Sequence, residues 1–109
     1  MSKELKLDVM NNKNDLIEGT FCYSLFERSF FDEKLLSDLI NNSETCLKEN
    51  EYDKDVLNLL SWIVNGVDQC FISHNDENDY YSIENYSVVL ENRWVILWRS
   101  KIDKIIGGA

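Results

Sequence analysis

Between residues 33 and 47, apolar side chains return every three or four positions: Leu35, Leu36, Leu39, Ile40, Cys46 and Leu47, with Ser43 in register. That is the period of an amphipathic α-helix. Glu33, Lys34, Asp38 and Glu44 fall on its wet side. Ser29 or Asp32 can cap the start, and Ser29-x-x-Asp32 resembles a capping box.

The next stretch, ENEYDKDVLNLLSWIVNGVDQCFIS, keeps Val56, Leu57, Leu60, Ile63, Val64, Val67, Cys70 and Phe71 on one face for about five turns. Asn50, Glu51, Asp53 and Asp55 supply caps and negative charge where a helix N-terminus is partly positive. Gly66 inside it costs about 1 kcal/mol relative to Ala. It therefore marks either a close crossing or an early end, after which QCFIS would form a short strand.

Patterns at the two ends are weaker. DLIEGTFCYSLFERSF reads as a first helix capped by Asp15-x-x-Glu18, although Gly19 and the Thr-Phe-Cys-Tyr run also tolerate extended chain. NNKND before it reads as a turn. Leu5, Leu7 and Val9 alternate in strand fashion, and the first ten residues carry no assignment.

The C-terminal YSVVLENRWVILWRSKIDKIIGGA supports two readings. A hairpin would pair YSVVL with RWVILWR around Glu91-Asn92. A helix would gather Leu90, Trp94, Trp98, Ile102 and Ile105 on one face, with Arg99 and Asp103 opposite. Ser87 would cap it, and Gly107 would take the left-handed position after it. The register runs unbroken through Ile106, which favours the helix.

Composition changes the picture by what it lacks. There is no proline and there are only four glycines, so the many turns of a small β-sandwich have little to build on. The chain is expected to be mainly α, a single-domain helical bundle of about four principal helices spanning residues 1–109. The alternative is α+β with a small C-terminal hairpin or sheet. Residues 1–14 and 107–109 are expected to be flexible ends. The expected core draws on Leu35, Leu39, Ile40, Leu57, Leu60, Ile63, Val64, Trp94 and Trp98, with Trp62 also on an apolar face. Cys22, Cys46 and Cys70 are equally spaced, but too little else repeats for a helical array.

Twenty acidic residues against 11 basic ones give a net charge of −9. Phosphate binding needs clustered Lys and Arg, so direct nucleic-acid binding and docking on anionic lipid are disfavoured. A basic protein is the partner class such a charge steers. MSKELKLDVMNNKND has no apolar h-region, and no apolar run approaches the roughly 20 residues a membrane span needs. A cytoplasmic protein with three free thiols is expected.

Candidate chemistry is thin. Cys70 and His74 stand one helical turn apart and could join Cys22 and Cys46 around zinc. No Cys-x-x-Cys pair supports this, and each cysteine lies in an apolar stretch where burial explains it. Counted from Asp76, the sixth and twelfth positions of a calcium loop would be Tyr81 and Ser87, where the EF-hand needs Gly and Glu. Cys70 and His74 lack the orienting third group of an activated nucleophile. No catalytic residue, metal or cofactor is expected, and the protein reads as no enzyme.

What stands out is HNDENDYYSIENY, residues 74 to 86, where Asp76, Glu77, Asp79 and Glu84 interleave with Tyr80, Tyr81 and Tyr86. Tyrosine offers a large, fairly rigid contact surface with a polar tip, and neighbouring acids can pair with a partner's Arg or Lys. A second acidic patch, Glu49, Glu51, Asp53 and Asp55, opens the long helix. If that helix runs to Ser73 the patches lie roughly 30 Å apart; if it breaks at Gly66 they converge. A solvated helix start and a polar connector are the plainer reading of both.

The segments S-x-F-D-E-K-L-L, W-I-V-N-G-V-D-Q-C and S-H-N-D-E-N-D-Y-Y, within residues 29 to 86, belong to a small, acidic domain without catalytic signature. In type it resembles the immunity proteins of bacterial contact-dependent growth inhibition and related polymorphic toxin systems. That resemblance implies tight binding to a cognate toxin domain, often a basic nuclease, by covering its active or substrate-binding surface. Partner-binding residues are then expected among both acidic patches and Tyr80 and Tyr81. The alternatives are an acidic phage or plasmid inhibitor that mimics nucleic-acid charge, and a helical regulatory adaptor subunit.

Overall fold

In the computed structural model, which describes residues 2–14, 16–50 and 53–108, the chain is a helical bundle with no strand among those residues. Helix α1 spans Ser2–Met10, α2 Glu33–Glu49 and α3 Lys54–Asn75. A last helical rod combines α4, Val88–Arg93, a π-helical segment Trp94–Trp98, and α5, Arg99–Gly108. The rod packs antiparallel to α3, since Asn75 meets Glu91 near one end and Asp68 meets Arg99 further along.

The two central helices follow their periodicity. Asp32 caps α2, its carboxylate accepting from the Leu35 amide at 3.1 Å. Ser29 is no cap; its backbone is left-handed, at φ 57°. α3 runs unbroken through Gly66, so QCFIS remains helical. The glycine is needed for a crossing: a Cβ there would lie 2.8 Å from the tip of the Phe26 ring.

Helix also prevails at the C-terminus, burying Leu90, Trp94 and Ile102 on one side. The Ser87 hydroxyl accepts from the Leu90 amide at 2.9 Å. Gly107 does not adopt the expected left-handed conformation, because α5 continues to Gly108.

The N-terminal quarter departs from expectation. Leu5 and Val9 lie four residues apart on one helical face and pack inward, while Leu7 points out. An i, i+2 alternation was thus an i, i+4 helical pair. α1 packs on α2 and α3. DLIEGTFCYSLFERSF forms no long helix. Its proposed cap Asp15 lies outside the described residues, and Gly19, at φ +86°, turns the chain instead. Thr20 then starts a short helical turn, accepting from the Tyr23 amide at 3.1 Å. That turn is π-helical over Tyr23–Glu27.

This irregular segment supplies much of the core. Phe31 packs edge-on against Phe21 at 5.3 Å and Trp94 at 6.2 Å, and tilted against Phe71 at 5.9 Å. Of the expected core, Leu39, Ile40, Leu60, Ile63, Val64 and Trp94 are buried, while Leu35, Leu57 and Trp98 are half-buried. Trp62 is not a core residue. It is 43% exposed and packs edge-on against Phe26 at 5.7 Å.

Candidate protein-binding surface

The segment after α3 divides into an exposed crest and an anchored strap. Asp76, Glu77, Asn78, Asp79 and Tyr80 form the crest, and Tyr80 is fully exposed. Asp76 accepts from the Asn78 amide and Asp79 from the Tyr81 amide, each at 2.9 Å. Such Asx turns fold the crest on itself, and its acidic residues are exposed.

The strap, residues 81–87, is fastened to the bundle. Ile83 is buried, and its amide donates to His74 Nδ1 at 2.9 Å. The Glu84 amide donates to the Ser29 carbonyl at 2.7 Å. Asn85 pairs with both backbone groups of Phe31, accepting at 2.9 Å and donating at 2.8 Å. Tyr86 stacks on His74 with centroids 3.9 Å apart and donates its hydroxyl to Glu91 at 2.6 Å. That bond to a carboxylate raises the Tyr86 pKa, reinforced by desolvation.

Tyr81 and Tyr80, adjacent and identical, therefore differ in role. Tyr81 is half-buried and its hydroxyl donates to the Leu25 carbonyl at 3.0 Å. Burial, with a hydrogen bond to Cys70, pushes its pKa well above the usual tyrosine range. It anchors the strap to the bundle through that bond. Glu84 remains exposed.

The second acidic patch is broken up. Asp53 is only 7% exposed and caps α3, accepting from the Asp55 and Val56 amides at 3.2 and 3.4 Å. Lys6 of α1 pairs with it at 2.9 Å and with Asp55 at 3.4 Å. Burial alone would push the Asp53 carboxyl up, but the bonds from Lys6 and the two amides more than offset this and lower its pKa. Asp53 thus joins α1 to α3 and has no face left for a partner. Glu49 and Asp55 are exposed, whereas Glu51 lies outside the described residues. The 22 residues of α3 also set this patch about 33 Å from the crest. The two do not converge.

Sequence reading missed a groove between α3 and the last helical rod, with a volume of about 560 Å³. Its floor includes Phe71 and Trp94, and its rims include Ile72 and Val95, which are 61% and 49% exposed. At one end Asn75 donates to Glu91 at 3.1 Å, with Asp76 beside it. At the other, Asp68 accepts from Trp94 Nε1 at 2.9 Å and pairs with Arg99 at 3.3 Å. Ile96 and Leu97, in the same π segment, are also exposed but do not line the groove. The signal was present in WVILW, since a rod that buries Trp94 turns the next two residues, Val95 and Ile96, away from the core.

Among the described residues, no group of three His, Cys, Asp or Glu side chains is placed to hold a metal ion. The three cysteines are buried and unpaired with one another. Burial raises the Cys46 and Cys70 thiol pKa values, the opposite of nucleophile activation. His74 is occupied by the Ile83 amide and the Tyr86 ring. No described helix is long and apolar enough to cross a membrane. Compared with known proteins, the chain matches no family model, no curated protein and no solved structure.

Proposed function

We propose that this chain is a non-enzymatic immunity protein, acting in the bacterial cytoplasm, that binds and neutralises a cognate toxin domain with a basic surface such as a nuclease. The observation that carries this reading is the crest: three exposed acidic residues and a fully exposed tyrosine, in a segment folded by two Asx turns and followed by a strap fastened at several points. A preorganised acidic array loses little entropy on docking and speeds encounter with a basic partner. The net charge of −9 acts in the same direction.

The test is rescue. The toxin to test is the variable C-terminal domain of a large exoprotein, should one be encoded next to the gene for this chain. Co-expression of this chain is expected to restore growth to cells that make that domain. Continued growth arrest, with both proteins soluble, would sink the proposal.

A further inference from the structure

We infer that the groove between α3 and the last helical rod is a docking site for a basic amphipathic helix of a protein partner. The inference rests on the reading of this chain as a binder of basic proteins, and it extends the contact from the crest into the groove beside it. Both long walls are helical, and polar bridges frame the two ends: Asn75 to Glu91, and Asp68 to Trp94 and Arg99. Between them the surface is apolar, and Ile72 and Val95 expose large side chains where a solvated helix would carry polar ones. Exposed apolar surface rimmed by polar groups is the usual form of an interaction site. The shape suits the apolar face of a helix laid between two others.

Charge selects the occupant. One end carries Glu91 and Asp76, and the crest acids Glu77 and Asp79 follow directly in the chain. At the other end Arg99 is already paired with Asp68. An apolar trough with net negative charge at one end favours leucine-like residues on the face that enters it and Arg or Lys on the flanks. A long cationic side chain can lay its methylenes over Ile72 and bring its head to Asp76. A second acidic copy of this chain would bring like charges together.

The probe is a synthetic amphipathic peptide of leucine, alanine and arginine with its leucines along one face, and a control in which glutamate replaces arginine. Two-dimensional NMR of the labelled full chain is expected to show saturable shifts at Ile72, Val95 and Glu91 with the basic peptide and none with the acidic one. The double variant Ile72→Gln, Val95→Gln changes exposed positions to a good helix former. It should keep its helical circular dichroism and bind at least tenfold more weakly. Asp76→Asn, which retains the turn acceptor, should weaken binding severalfold and flatten its salt dependence.

Shifts confined to Glu77, Asp79 and Tyr80, or unchanged affinity in the double variant, would overturn the groove. So would a wild-type dimer that the same variant converts to monomer. Rescue from the toxin without peptide binding would reject the groove and leave the immunity reading standing. Peptide binding without rescue would do the reverse.

Discussion

His74, the only histidine, accepts the backbone amide of Ile83 at its Nδ1 at 2.9 Å, so the last turn of α3 fastens the strap that follows it. The same ring stacks on Tyr86 at 3.9 Å. One side chain thus closes both ends of a segment whose composition suggests a loose polar loop. This closure ties the end of the crest-bearing segment back to the last turn of α3.

His74→Ala leaves the Ile83 amide without its acceptor and the Tyr86 ring without its stack. A buried donor left unmade costs about 1–3 kcal/mol. The variant is expected to lose about that much stability in urea titration while keeping its helical circular dichroism. Hydrogen exchange should quicken at Ile83 and Glu84 before it does in α2. Unchanged protection at Ile83 would mean that other contacts hold the strap.

Asp53 ties stability to pH. Its folded pKa lies below the ordinary value, so its contribution is present above about pH 3.9, the unfolded pKa, and fades as pH falls through the lower, folded one. Asp53→Asn keeps a good cap but loses the pair with Lys6, whereas Asp53→Ala loses both. At neutral pH the alanine variant should lose about 1 kcal/mol from the cap, and more from the lost pair with Lys6. The asparagine variant should lose less. The gap between wild type and the asparagine variant should close below about pH 4. A gap that stays constant down to low pH would contradict the lowered pKa.

Gly66 and Phe26 make a second coupled pair. A β-carbon at Gly66 would meet the Phe26 ring tip at 2.8 Å, inside van der Waals contact. Overpacking of this kind costs about 1–3 kcal/mol, against about 1 kcal/mol gained in helix propensity. Gly66→Ala alone is therefore expected to be neutral to destabilising. In a Phe26→Leu background the clash is relieved, and the same change should stabilise by up to about 1 kcal/mol. A double-mutant cycle in chemical denaturation reads the reversal of sign. Equal effects in both backgrounds would show that the glycine serves no crossing.

These relationships explain what could be read in advance. The faces of α2 and α3 and the inward side of the last rod were legible because long periodic segments report burial directly. Leu5, Leu7 and Val9 were too few to separate a period of two from a spacing of four. The Thr20–Phe31 segment enters the core through Phe21 and Phe31, in contacts with distant helices that no local pattern encodes. Charge was legible as a sum but not as a surface. Nothing near Asp53 in the chain announces Lys6 as its partner, and nothing in the pair Tyr80-Tyr81 says which ring turns inward.

The crest itself can be separated from the scaffold beneath it. Asp76, Glu77 and Asp79 are exposed, and the turns of Asp76 and Asp79 use only a side-chain acceptor that serine can replace more weakly. Changing all three to Ser is therefore expected to cost under about 1 kcal/mol of stability. Its effect on binding should be larger. The substitution removes three exposed negative charges, so with the proposed basic toxin domain the association rate should fall and lose much of its salt dependence. Surface plasmon resonance against the toxin domain, repeated across salt concentrations, separates that effect from a change in dissociation rate. Tyr80→Ala, at a fully exposed ring, should speed dissociation without altering the fold. Tyr81→Ala should instead destabilise the protein, because it removes the strap's bond to Leu25. Unchanged affinity and salt dependence in the triple variant would show that the crest is only a connector.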